Sequence, residues 1–462
     1  MTWQLERPSK PALPNSFFWT WDHSTNWVLD DPGLENRGCN NAYLKRPETF
    51  VEDYRRLTDL AAGLGVRGII IWGFLRDSHG GVENSQRVAA YAASRGVAIL
   101  PGIGTTHYGG VYYGGNHKYN LETFLARYPE ARLINKKGEP VGGSACPAHP
   151  AYREWLREGM QWLLSEFEVG GFNLENGDLL VDYHPLTRAA RKDWPADDPE
   201  VFFFQGLSYK QVFDAVGSRA KDLLGTYATY SGFAYGRAPD LETNQNTASM
   251  GSKPPAMLSV LPKESVAQWT LSAMVRQQTV PMLEYLDNGA PEAAFENPNW
   301  PVGLNPPAPR SVGFIHMGSQ WGGDRYDCVL TFIKEACLRA YRCGMEGVGI
   351  HGEVTSRHIP CALDYLAFSH FIHWPEDSLR EFGRKTLGQV LGSEQAGEAF
   401  VEILSHWHGN ALTEGHKALC QEYARRSHGR DGSRTSLERS WFWRWLEARV
   451  RGKVEQHTLS FF

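Results

Sequence analysis

The sequence predicts one (β/α)8 TIM barrel with a C-terminal helical extension. Short apolar runs alternate with amphipathic helical segments, the pattern of βαβ units around a parallel sheet. Eight such units fit between the first aromatic run and residue 354, and barrels of this type commonly form one unit of this size. From Pro375 onward the pattern is helical throughout, with no strand, no Ser/Gly linker and no internal repeat. Residues 1–375 are assigned to the barrel and 376–462 to a helical segment packed on it.

The units are read in order. The first strand is Phe17 to Trp21, followed by a helix from Pro47 that the glycines at 63 and 65 stop. The second, VRGIIIWGFL (66–75), is apolar throughout, as a strand covered on both faces should be. A helix over 85–94 leads to the third strand, VAILPGIG (97–104). The loop GTTHYGGVYYGGNHKYN then exceeds a plain connector in length, which suits a functional loop. The helix HPAYREWLREGMQWLLSEF feeds the fourth strand, GGFNLENG, and a helix over 207–224 feeds the fifth, GTYATYSG (225–232). AMLSVLP (256–262) is expected as the sixth strand, followed by a helix over 264–277. The seventh is assigned to VPMLEYL (280–286), with SVGFIHMGSQW (311–321) as its rival. A helix over 324–344 precedes GVGIHGEV (347–354), the eighth.

Composition narrows the functional classes. A net charge of -5 argues against a surface built to neutralise nucleic-acid phosphates. No run of 18 apolar residues is present, so no membrane-spanning helix is expected. Seven cysteines without a CxxC pair point to reduced thiols, not to a disulfide framework or a thiolate zinc site. The polar residues after Met1 lack the apolar core of a signal peptide, so a cytoplasmic protein is expected, or a secreted one if a leader has been removed. No cofactor is expected, because no GxGxxG or P-loop lies between a strand and a helix, and GxSxG is absent too. The 16 Trp and 19 Tyr suit a cleft that stacks on sugar rings. A homo-oligomer is compatible with these features.

Active sites of (β/α)8 barrels lie at the C-terminal ends of the strands. Trp19, Trp21, Asp22 and His23 close the first strand, and Trp72, Arg76, Asp77 and His79 the second. His107, Tyr108 and His117 follow the third; Glu175, Asn176, Asp178, Asp182 and His184 follow the fourth. Tyr230 follows the fifth, Glu284 and Asp287 the seventh, and His351 and Glu353 the eighth; Trp321 ends the rival seventh segment. The expected substrate-binding set is Trp19, His23, Trp72, Arg76, His79, His107, Tyr108, Asn176, Asp178, Tyr230, Glu284, Trp321 and His351.

Glu175 is the leading catalytic candidate: it follows the apolar GFNL and precedes an Asn-Gly turn, which should turn its carboxylate into the barrel mouth. Glu353, Asp22 and His149 are the other catalytic candidates, and Glu284 is a further possible partner for Glu175. Two carboxylates across an aromatic pocket meet the requirement for glycoside hydrolysis, one protonating the departing oxygen and the other attacking the anomeric carbon or activating water. His149, between prolines, is either a structural loop residue or a base working with Asp22. Two rival readings stay open. One is a metal-dependent barrel hydrolase or isomerase using the His and carboxylate groups, none of which has a diagnostic spacing. The other is a non-catalytic carbohydrate-binding barrel.

FFWTWDHSTNW, ACPAHPAYREWL, GFNLENGD and GVGIHGEV with LDYLAFSHFIHWP together resemble a carbohydrate-active, exo-acting (β/α)8 glycoside hydrolase, over residues 15–375 and without matching one family. The resemblance implies a glycosidase removing a terminal sugar. Hexosaminidase-like barrels carry adjacent Asp-Glu at strand four, whereas this chain has Leu174-Glu175-Asn176, which speaks against substrate-assisted cleavage of N-acetyl sugars. A looser similarity is to an inverting sialidase-type barrel, with Asp22, His149 and Glu353 in its catalytic places and Arg76 or Arg188 facing a substrate carboxylate.

Overall fold

A computed structural model describes residues 3–23, 25, 27, 46–176, 181–198, 200–229, 256–270, 310–315, 328–342, 344–408, 412–427 and 434–450. The strands are β1 (Phe17–Trp21), β2 (Gly68–Trp72), β3 (Ala98–Gly104), β4 (Arg132–Ile134), β5 (Pro140–Ala145), β6 (Gly171–Glu175), β7 (Leu224–Thr229), β8 (Val266–Thr270), β9 (Ser311–Ile315) and β10 (Gly347–His351). Eight of them close a parallel barrel in the order β1-β10-β9-β8-β7-β6-β3-β2, and β4 with β5 forms a separate antiparallel hairpin. The predicted fold class is therefore observed.

The first five barrel strands and the last lie where the sequence puts them, while the sixth does not. Residues Met257–Val260 are a helical turn, and the sixth barrel strand is β8, inside the segment expected to be helical. The reason is the polarity of the barrel interior. Trp72 Nε1 donates to Asn173 Oδ1 at 3.0 Å, and Asn173 Nδ2 donates to Thr226 Oγ1 at 2.8 Å and to Gln268 Oε1 at 3.0 Å. This buried layer joins β2, β6, β7 and β8, so β8 must place a glutamine inward and cannot read as an apolar run. The seventh strand is β9, the rival assignment. Residues 280–286 lie outside the described residues.

Phe17, Trp19, Ile70, Leu100, Val266 and Phe314 are among the side chains that fill the barrel interior. A second apolar layer lies between strands and helices. There the helix Pro47–Leu64 starts on a proline and ends at Gly65, whose φ of 72° is open to glycine at little cost. After β10 the regular elements among the described residues are helices. The helices Glu394–His408, Glu414–Arg426 and Arg434–Val450 pack through Phe400, Tyr423 and Trp443, with the Tyr423 and Trp443 rings stacked at 4.5 Å. Their apolar residues are continuous with the barrel's outer layer. No helix among the described residues is long and apolar enough to cross a membrane. Cys146, Cys328, Cys337, Cys361 and Cys420 are buried and stand in no disulfide.

Candidate functional site

All eight barrel strands run parallel, so their C-terminal ends share one face. The polar layer fixes which side chains point inward there. Asn173 faces the interior, and side chains alternate along a strand, so Glu175 faces inward two residues later, at the mouth. Glu175 is half-buried, and its carbonyl accepts from the Thr105 N–H at 2.7 Å, which joins the β3 and β6 ends.

Glu353 lies just past β10. Gly352 N–H donates to Trp19 O, continuing the β1–β10 ladder, and the Glu353 carboxylate then takes over by accepting the Trp21 N–H at 2.9 Å. Its second oxygen lies 4.0 Å from His351 Nδ1. β6 and β10 are four strands apart whichever way the ring is followed, so Glu175 and Glu353 belong to opposite sides of the barrel. Aromatic rings fill the space between the strands. Trp19 packs against Trp21, Phe314 and His351 with ring centroids 5.3–5.6 Å apart, and Trp21 also meets His23, Tyr108 and Tyr113. Trp72 is fully buried beneath them, its indole held by Asn173. Tyr108 adopts a left-handed φ of 52°, a conformation an L residue takes at some cost.

Asp22 is fully buried between the β1 and β2 ends. Arg76 donates to both its oxygens, at 2.7 and 3.2 Å, and His23 Nδ1 lies 3.1 Å from Oδ1. The arginine also lies over the Tyr113 ring at 4.5 Å. Burial alone would raise the Asp22 carboxyl. The His23 hydrogen bond and the nearby Arg76 and His79 charges outweigh it and hold the group at about 2. A side chain at Gly73 would start 2.1 Å from Asp22 Oδ1, so this cradle requires glycine. His79 Nε2 hydrogen-bonds Gly73 O at 2.7 Å and its ring stacks on Phe50 at 3.6 Å. Burial lowers its pKa.

Among the described residues, the hydrogen-bond partners of the Asp22 carboxylate are His23 and Arg76. His149 sits at the N-cap position of the helix Pro150–Glu166 without a side-chain capping bond; its neighbours are Glu130 and His184, with the His184 ring at 6.1 Å, and burial lowers its pKa. Asp182, also buried, accepts from Ile134 N–H, His184 N–H and Thr187 Oγ1, tying the β4–β5 hairpin to the chain after β6. His107 Nδ1 reaches Gly143 O at 3.0 Å and Ser144 Oγ at 2.9 Å, securing the same hairpin. His117 stacks between Tyr112 and Trp162 in the long loop. Arg188 is paired with Glu200 at 2.9 Å. Asp178, Tyr230, Glu284, Asp287 and Trp321 lie outside the described residues.

Sequence reasoning missed two buried residues on the helix Glu200–Val216. Tyr209 is fully buried there; its hydroxyl donates to Ala228 O of β7 at 2.9 Å, near the Asn176 backbone and within electrostatic reach of Glu175. Burial, reinforced by Glu175, pushes its pKa well up. Gln205, one turn earlier on that helix, is also fully buried. The signal was present: Gln205, Tyr209, Val212, Phe213 and Val216 fall on one helical stripe, with a glutamine where an apolar residue is expected.

No protein-family model matches this chain, and no curated protein matches it in sequence. Solved structures with a similar course of chain include a cyclic α-maltosyl-(1→6)-maltose hydrolase from Arthrobacter globiformis, at 13% identity, TM-score 0.42, over 78% of this chain and 84% of that one. A β-N-acetylhexosaminidase from Bacteroides fragilis follows at 13% identity and TM-score 0.41, over 78% of this chain and 66% of that one. A GH138 enzyme targeting pectin rhamnogalacturonan II overlaps 97% of this chain but 58% of its own, at 9% identity and TM-score 0.47. At these identities no residue role is carried across from them.

Proposed function

We propose that this protein is a glycoside hydrolase that removes a terminal sugar from a glycan or glycoside, with Glu175 as acid/base and Glu353 as its partner carboxylate. The observation that carries the reading is the pair itself: two carboxylates at the C-terminal ends of opposite strands of a closed barrel, with aromatic rings between. Such a pair supplies the proton for the departing oxygen and the base or nucleophile for the anomeric carbon. Residues 1–375 then form the catalytic barrel and 376–462 the supporting helical segment. Trp19, Trp21, Tyr108 and His351 offer flat apolar surface to a sugar ring, and Asn176 offers hydrogen bonds. Asp22 is assigned the holding of Arg76, because both its oxygens are already engaged.

The reading is tested by hydrolysis of a panel of nitrophenyl glycosides covering both anomers of the common hexoses. Glu175→Gln and Glu353→Gln should each lower kcat by about 10²–10⁴. Full activity in both variants would remove the assignment.

A further inference from the structure

At the β6–β7 side of the mouth two complete carboxamides lack partners. Among the described residues, the Nδ2 and Oδ1 of Asn176 and the Nε2 and Oε1 of Gln205 are buried without a hydrogen-bond partner. Asn176 is 2% exposed and Gln205 0%. Buried amides of this kind are rare in folded proteins, because an unmet donor or acceptor costs about 1–3 kcal/mol. A pair of them therefore needs an occupant or a function to explain it.

Their placement is fixed by the helix Glu200–Val216. This helix enters from the strand-end face and leads down into β7, so its early residues lie level with the mouth. Tyr209 marks the level: its hydroxyl donates to Ala228 O of β7 at 2.9 Å, close to the Asn176 backbone just past β6. Gln205 is one turn nearer the mouth and shares the barrel-facing stripe of Tyr209, Val212, Phe213 and Val216, all buried. Gln205 thus lies level with the β6 and β7 ends, where Asn176 directly follows Glu175 in the chain.

We infer that Asn176 and Gln205 form a subsite for the hydroxyl groups of a neutral sugar, an inference that rests on the proposed glycosidase reading and narrows its substrate class. The chemistry selects the ligand. Each carboxamide offers an NH2 donor and a carbonyl acceptor, and a sugar hydroxyl both gives and accepts. Two neighbouring hydroxyls satisfy all four groups. A sugar carboxylate only accepts, and would leave both amide oxygens facing negative charge.

Calorimetric titration of the full-length protein with glucose, galactose, mannose, fucose, glucuronic acid and galacturonic acid tests this, on wild type and on Gln205→Leu and Asn176→Leu. The inference expects at least one neutral sugar to bind, with Kd raised about tenfold or more in each variant, the loss of one to two hydrogen bonds. It also expects an unchanged or higher Tm, since leucine removes an unsatisfied buried amide. Unchanged affinity in the variants, binding of the uronic acids alone, or no binding by any of the six overturns it. So does a lowered Tm in Gln205→Leu, which would mean that the amide supports the fold. The two readings separate cleanly. If a neutral sugar binds through Gln205 but neither anomer of its nitrophenyl glycoside is cleaved, the subsite stands and the hydrolase reading falls. If cleavage proceeds with unchanged kcat/KM in Gln205→Leu, the hydrolase stands and the subsite falls.

Discussion

The two sides of the barrel mouth use their polar residues differently. Between β1 and β2, Asp22 has both oxygens engaged by an arginine fork and a histidine, in a cradle that Gly73 leaves open. Beside the β6 and β7 ends, Asn176 and Gln205 are just as buried, yet their amides have no hydrogen-bond partner among the described residues. From sequence Asp22 and Asn176 look alike, as polar residues just past a strand. Hydrogen-bond saturation tells them apart. A saturated cluster is stabilised by its own contacts and resists change, whereas an unsaturated one gains stability only from a ligand.

If that contrast is right, the largest stability loss comes from the saturated side. Asp22→Ala leaves Arg76 and His23 without their carboxylate in a mostly buried setting, and should destabilise the protein by about 3 kcal/mol in urea unfolding. Arg76→Ala should cost less, and the double variant less than the sum of the two, because they remove one shared interaction. Strict additivity would show that Asp22 and Arg76 do not act as a pair, and the contrast would fail.

The same pair should appear in the pH dependence. The Asp22 carboxyl is held at about 2 against an ordinary 3.8. A depressed carboxyl contributes stability that is complete above pH 4 and is lost as pH falls through about 2, worth about 2 kcal/mol here. Wild type should therefore exceed Asp22→Asn in stability at pH 5, and the gap should close toward pH 2. His358 gives a separate background. Burial holds its imidazole at about 3 against 6.5, so its contribution is present above pH 6.5 and is lost as pH falls toward 3 in both proteins. A gap that stays constant from pH 5 to pH 2 would remove the charge from the account of Asp22.

The contrast also explains what could be read from the sequence. β1, β2 and β10 were legible because strands covered on both faces are continuous apolar runs. β8 was hidden because Gln268 must face Asn173, and a helical turn at Met257–Val260 offered a more apolar rival. The β4–β5 hairpin was hidden by its exposed, glycine-rich second strand, PVGGSA. Glu175 was legible from the strand and the turn signal that flank it. The engagement of Asp22 was not, since Arg76 reaches it from 54 residues away. Gln205 was passed over because a lone glutamine in a helix is ordinarily solvated, and only the burial of its whole stripe gives it meaning.

Tyr209 gives the smallest effect and the finest test, because it is a saturated group on the unsaturated side. Its hydroxyl donates to Ala228 O at the β7 end, close to the Asn176 backbone and within electrostatic reach of Glu175. Tyr209→Phe keeps the ring and its apolar packing and deletes only that hydrogen bond. The Ala228 carbonyl then loses a partner at a strand end that approaches solvent, so the expected loss is about 1 kcal/mol in urea unfolding, below that of Asp22→Ala. Tyr209 lies within electrostatic reach of Glu175, so removing its hydroxyl should also lower kcat on the best nitrophenyl glycoside several-fold while leaving KM nearly unchanged. If Tyr209→Phe proved as destabilising as Asp22→Ala, the β6–β7 side would be a second scaffold. The empty carboxamides beside it would then need a structural explanation in place of a ligand.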